Sequence, residues 1–196
     1  MAVNDGSAQR SEVRSISVTF SGPVTFSGGN ANAAAAFQLT HLTDGNNVDL
    51  MSAVSTDNQG RTVVTLTFSG AETDQLSGRN GASPSLADGR YQLTVLSGSV
   101  TGADGQALNG GGTNGNYVSP TDTLGGGPDQ LHLFRLFGDA NGDGIVDQKD
   151  LGLFRKALNA GVGDSSYLAF LDADNSGVVD QLSLGAFRSR FNAKVF

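Results

Sequence analysis

Residues 139–150 read Asp-Ala-Asn-Gly-Asp-Gly-Ile-Val-Asp-Gln-Lys-Asp, and the reading of the whole chain turns on them. Side-chain oxygens recur at the first, third, fifth, ninth and twelfth positions: Asp139, Asn141, Asp143, Asp147 and Asp150. A hard cation such as calcium takes roughly six to eight oxygen ligands, and a curling loop turns alternate side chains inward to supply them. Ile145, at position seven, offers its backbone carbonyl. Gly144 sits where the chain must turn sharply, a conformation that costs glycine least. The spacing is that of a calcium loop.

Residues 172–183 repeat the register with Asp172, Asp174, Ser176, Val178 (through its carbonyl), Asp180 and Ser183, and with Gly177 at the turn. Serine at the fifth and twelfth positions removes two formal charges relative to the first loop, so this second calcium site is expected to bind more weakly. The loops start 33 residues apart (172 − 139), and apolar residues at helical spacing follow each. These are Leu151, Phe154, Ala157 and Leu158 after the first loop, and Leu184, Phe187 and Phe191 after the second. Leu131, Leu133, Leu136 and Phe137 form an apolar stretch ahead of the first loop. Val146 and Val179, both at position eight, stand where paired loops can form a short strand contact. So small a module has little core of its own, and bound metal is expected to complete its fold.

The chain before this module has a different periodicity. Ile16, Val18 and Phe20 alternate with small polar residues, as do Val64, Leu66 and Phe68, and then Tyr91, Leu93 and Val95. That is the pattern of strands with one buried side. Shorter candidates lie at 24–26, 37–42, 48–54 and 100–108, divided by turns such as Asp57-Asn58-Gln59-Gly60 and Asp104-Gly105; residues 31–36 fit a single helical turn. The expected fold is mostly β with a small α module. It consists of an antiparallel β-sandwich over 1–108, a linker rich in Gly, Asn, Ser and Thr over 109–130, and the calcium module over 131–196.

Charge divides along the same line. The 11 acids and 5 bases up to residue 130 give −6, and the 8 acids and 7 bases after it give −1, which together make the net charge of −7. Two calcium ions would carry the second part from −1 to +3. Neither part has the basic face of a nucleic-acid binder, and no apolar run is long enough to span a membrane. The absence of cysteine excludes disulfides. Loops of this kind suit the millimolar calcium outside cells, so an extracellular location is expected. The Met-Ala-Val-Asn-Asp start reads as an excised fragment, with any targeting sequence lying upstream of it.

Nothing in the sequence assembles a catalytic set. Glu12 and Glu72 are the only glutamates and neither sits in a recognisable catalytic context, and the only histidines, His41 and His132, have no metal-ligand pattern. An accessory or carbohydrate-binding fragment of a larger secreted glycoside hydrolase is the alternative. Sugar-binding modules of that kind lean on exposed aromatics, and this half has no tryptophan and only Tyr91 and Tyr117. Tyr91 falls on the apolar face of its strand.

With its duplicated loop–helix pattern, the segment from about residue 134 to 196 resembles a type I dockerin domain. The resemblance implies two calcium sites and docking onto a cohesin domain. It places partner contacts at loop positions ten and eleven and at a pair farther along each helix: Gln148, Lys149, Arg155 and Lys156, then Gln181, Leu182, Arg188 and Ser189. Cellulosomal dockerins favour Ser-Thr at positions ten and eleven, where this chain has Gln-Lys and Gln-Leu. Residues 18–24, 86–95 and 100–108 resemble bacterial immunoglobulin-like domains of secreted and surface proteins. The combination resembles large extracellular proteins of planctomycete-type bacteria. The expectation is a non-catalytic, calcium-binding interaction protein that docks onto a cohesin-like or Ig-like β-sandwich partner, a second copy of itself included.

Overall fold

The computed structural model describes residues 1–120 and 133–196. In chain order the strands are β1 (Ala2–Val3), β2 (Ser15–Thr19), β3 (Val24–Phe26), β4 (Phe37–His41), β5 (Asp49–Thr56) and β6 (Thr62–Ser69). They continue with β7 (Thr73–Asp74), β8 (Ser85–Leu86), β9 (Gly89–Val95), β10 (Val100–Gly102), β11 (Tyr117–Val118) and β12 (Phe134–Arg135). Helices α1 (Gln148–Ala157) and α2 (Gln181–Arg190) complete the chain.

Alternation decides which residues face inward. In β6 Thr62, Val64, Leu66 and Phe68 are buried while their neighbours are half-buried, as period-two patterning requires. One antiparallel sheet has the order β1-β2-β6-β5. A second four-stranded sheet is built on β9, with β4 along one edge and β11 and β12 sharing the other, while β3 pairs β10 and β7 pairs β8 in two small sheets of their own. Ile16, Val64, Leu66 and Phe68 from the first sheet and Leu39, Tyr91, Leu93 and Val95 from the second belong to one buried cluster. The 3₁₀ turn Asn30–Ala36 adds Ala33 and Ala36 to that core. Strands form within each expected range, but β10 covers only Val100–Gly102 of the expected 100–108 and pairs with β3 in a separate two-stranded sheet.

The junction with the C-terminal part differs from expectation. Glycine-rich composition marks 109–130 as a linker, yet β11 lies inside that range and pairs with Val95 and Thr94 of β9. Strand pairing uses backbone groups, so a polar, glycine-rich stretch can add to an open edge. The chain runs along this edge to Ser119, whose N–H reaches the Leu93 carbonyl at 2.8 Å. It returns at Leu133, whose carbonyl accepts the Tyr91 N–H at 2.8 Å. The apolar stretch ahead of the first loop is thereby split. Leu133 joins the sandwich core, while Leu136 and Phe137 join a second cluster with Val146, Phe154, Leu171, Val179 and Phe187. Residues 121–130 of the expected linker, together with Leu131 and His132, lie outside the described residues.

Arg135 of β12 ties the two cores together. It is 2% exposed. Its guanidinium donates to Asp88 Oδ1 (2.8 Å), Asp74 Oδ2 (2.9 Å) and the Ser11 carbonyl (2.9 Å). Asp88 also accepts from the Phe137 N–H at 2.8 Å and from Arg190 Nε of α2. Arginine suits this position because its planar fork serves several acceptors at once.

Candidate functional site

The two loops are built alike at positions one, six, nine and twelve. At position one, Asp139 and Asp172 are buried, and Oδ2 of each accepts the N–H of the position-six glycine: Gly144 at 2.9 Å and Gly177 at 2.7 Å. Both glycines have positive φ, 78° and 88°, which explains the residue type there. At position twelve, Asp150 Oδ1 accepts the Ala140 N–H at 2.9 Å and Ser183 Oγ accepts the Ala173 N–H at 3.1 Å. At position nine, Asp147 and Asp180 cap α1 and α2, accepting from the N–H groups of Lys149 (2.7 Å) and Leu182 (2.8 Å). Asp150 also accepts the Asp147 N–H at 2.9 Å, so the first helix starts in a complete capping box. Each helix thus grows directly out of its loop's carboxylates.

The symmetry continues past the helices. Phe154 and Phe187 are buried with ring centroids 4.7 Å apart. Asn159 and Asn192 each follow a helix with φ of 67° and 68°, the left-handed conformation that ends helices and that asparagine tolerates. The pairing expected between Val146 and Val179 does not form. The Val146 carbonyl instead accepts from Asn192 (2.8 Å), and the Val179 carbonyl accepts from Asn159 (2.7 Å). Each loop lies beside the exit of the other loop's helix, and that segment satisfies its backbone.

Electrostatics within the loops favour a cation. Burial pushes the Asp139 carboxyl up to about 6; the neighbouring Asp150 and Asp143 carboxylates add to this, and the N–H groups of Gly144 and Gly142 oppose it. Burial also raises Asp150. At Asp143 burial pulls the same way, but hydrogen bonds from Asn141 and Lys149 outweigh it and hold this carboxyl below the usual range. In the second loop, Asp174 is 8% exposed and its Oδ1 is buried without a hydrogen-bond partner. Ser176 Oγ donates to the Val178 carbonyl at 3.1 Å, so two expected ligands lie side by side. Carboxylates, an amide, hydroxyls and carbonyls are all hard oxygen donors, and an orphaned buried carboxylate oxygen among them fits calcium.

The eight residues assigned to partner contact, Gln148, Lys149, Arg155, Lys156, Gln181, Leu182, Arg188 and Ser189, are all exposed. Lys149 Nζ lies 3.2 Å from Asp143 Oδ2, which links this exposed set to the first loop. Between the helices runs a groove of about 400 Å³, floored by Leu151, Phe154, Leu184 and Phe187 and edged by Arg155 and Arg188. Helical spacing reveals the floor residues as apolar. That two helices should leave a groove between them depends on their relative placement, which no local pattern carries.

The sandwich closes on both loops. The Arg10 N–H donates to the Asp139 carbonyl at 2.9 Å, and a Cβ at Gly142 would lie 1.9 Å from the Ala8 carbonyl oxygen. On the second loop, Arg79 Nη1 approaches Asp174 Oδ2 at 3.2 Å, and Asn80 Nδ2 donates to the Asn175 carbonyl at 2.6 Å. A separate cluster also escapes sequence reading: His41 Nδ1 lies 2.9 Å from Glu72 Oε2 and 3.3 Å from Asp44 Oδ2. Glu72 is 31 residues from His41, too far for a ligand spacing to show.

Residues 137–186 match the family model of the Dockerin type I domain. No curated protein matches the chain. Two solved structures, both interface mutants of a type II cohesin–X–dockerin complex from Acetivibrio cellulolyticus, are similar at low levels. One shows 16% identity and a TM-score of 0.30, the other 13% and 0.27. In each case 93% of this chain and 97% of the other are covered.

Proposed function

We propose that the chain is a non-catalytic, extracellular interaction protein whose C-terminal module binds two calcium ions and presents its α1–α2 face to a cohesin-like or Ig-like β-sandwich. That partner belongs to another protein or to a second copy of this chain. The observation that carries the reading is the duplicated loop, with buried position-one carboxylates inside the segment that matches the dockerin family, and with capped helices and exposed residues repeating in register within it and just beyond it. Asp139, Asn141, Asp143, Asp147 and Asp150 with the Ile145 carbonyl would hold one ion. Asp172, Asp174, Ser176, Asp180 and Ser183 with the Val178 carbonyl would hold the other, more weakly.

Calcium supplies the positive charge that lets these carboxylates converge. The chain's own residues do the rest: Asp147 and Asp180 start the helices, the Phe154–Phe187 contact sets them side by side, and Arg155 and Arg188 border the resulting groove. The surface favours protein docking over the carbohydrate alternative. Tyr91 is 1% exposed, its hydroxyl donates to the Ala87 carbonyl, and the exposed large apolar side chains among the described residues are aliphatic.

Sedimentation velocity in millimolar calcium and in excess chelator tests the proposal. Larger species that appear only with calcium identify a second copy as the partner. A monomer that becomes more compact with calcium directs the search to a separate cohesin-like domain. Identical profiles in the two buffers refute a calcium-ordered module.

A further inference from the structure

We infer that the second calcium site is completed from outside its own module, with Arg79 of the sandwich acting as the positioning residue for the ligand Asp174. This rests on the calcium reading of the loops above. Arg79 lies between β7 and β8, 95 residues from Asp174 in the chain. Its Nη1 holds Asp174 Oδ2 at 3.2 Å, and Oδ1 of the same carboxylate is buried with no hydrogen-bond partner. A carboxylate fixed through one oxygen and bare at the other has its orientation set and its remaining lone pairs reserved.

The backbone around it is clipped in the same way. Asn80 Nδ2 donates to the Asn175 carbonyl at 2.6 Å, and Asn175 Nδ2 donates back to the Arg79 carbonyl at 2.9 Å. In the first loop the residue at the corresponding position, Asn141, bonds Asp143 within the loop at 2.9 Å. The second loop, which has serine where the first has Asp143 and Asp150, has its position-three carboxylate held from the sandwich.

Two effects of Arg79 oppose each other. Its positive charge weakens the attraction for a cation, and its hydrogen bond orients a ligand for that cation. The Arg79 side chain is 54% exposed, so water and salt screen the charge, while the hydrogen bond acts at contact. Orientation wins, and Arg79 strengthens the site. Residues that orient metal ligands are typically worth about 10- to 100-fold in affinity.

Calorimetric titration of the whole chain with calcium provides the test, using Arg79→Ala, Arg79→Lys and Asp174→Ala. Arg79→Ala is expected to weaken the second class of sites about tenfold and leave the first unchanged. The unchanged first site shows that the variant is folded. Arg79→Lys is expected to recover part of the loss, because an ammonium can still donate to Asp174 Oδ2. Wild-type affinity or tighter binding at the second site in Arg79→Ala overturns the inference while leaving the calcium reading intact. A wild-type chain that takes up no calcium, or an Asp174→Ala variant that binds as wild type, overturns the calcium reading itself and the inference with it.

Discussion

Replacing Arg135 by Met keeps most of the bulk of a 2% exposed side chain and removes three donated hydrogen bonds, to Asp74, Asp88 and the Ser11 carbonyl. Deleting one partner of a fully buried ion pair costs about 3–5 kcal/mol, because the other is left as an uncompensated buried charge. The side chains of Asp74 and Asp88 are 21% and 27% exposed, and Asp88 retains Arg190. The lower end of that range, about 3 kcal/mol, therefore applies. In a chain of this size each kcal/mol moves the thermal midpoint by about 2–4 °C, so the expected drop is about 6–12 °C. Differential scanning calorimetry in saturating calcium measures it. Since Arg135 stands between the two cores, the wild-type chain is expected to melt in a single transition. A drop below about 2 °C, or two separate wild-type transitions, would falsify the assignment of Arg135 as the tie between them.

Further expectations follow from individual groups. Although burial works against it, Arg135 and Arg190 hold the Asp88 carboxyl below its ordinary 3.8. A depressed folded-state value means that the stability Asp88 contributes is complete above about pH 4 and is lost as pH falls through the lower folded value. Asp88→Asn should remove that acid dependence from denaturant titrations run between about pH 5 and pH 2. Asp139→Ala should lower calorimetric calcium stoichiometry by one. It should also remove about 2.7 kcal/mol of calcium-dependent stabilisation at one hundred times the dissociation constant; unchanged stoichiometry would contradict the assignment of the first loop. The double variant Arg155→Glu/Arg188→Glu should leave calcium uptake unaltered and abolish calcium-dependent association in the ultracentrifuge. Association that persists would move the docking surface away from the α1–α2 face.

The parts of this molecule that the sequence reveals are those whose pattern is local. β2, β6 and β9 are long enough for alternation to show, and their inward residues, such as Ile16, Leu66 and Leu93, are the buried ones. The duplicated loops show because twelve consecutive positions carry their chemistry. Strands β7, β8, β11 and β12 have two residues each, too few for any period to register. Their positions are fixed by backbone pairing that is blind to side-chain type, which is how a glycine-rich stretch that reads as a spacer comes to hold a strand. The clamp on the second loop and the Arg135 tie join residues 47 to 124 positions apart. Such contacts appear only when the chain is folded.

That distance also changes what the charge count means. Divided at residue 130, the sequence assigns −6 to the sandwich and +3 to a calcium-loaded module, and the difference invites one copy to attract the next. The folded chain uses part of this attraction internally. Arg135 and Arg190 of the module are committed to Asp74 and Asp88 of the sandwich, and Arg79 of the sandwich to Asp174 of the module. A group held in such a pair presents little field to a second molecule, and over about 8 Å of physiological screening the remainder matters only where it is local. The local excess lies on the helix face, where Arg155, Lys156 and Arg188 are exposed beside an apolar groove. On the docking proposed for this face, charge would select a partner with acids facing that groove, and the net difference between the halves would be a poor guide to it.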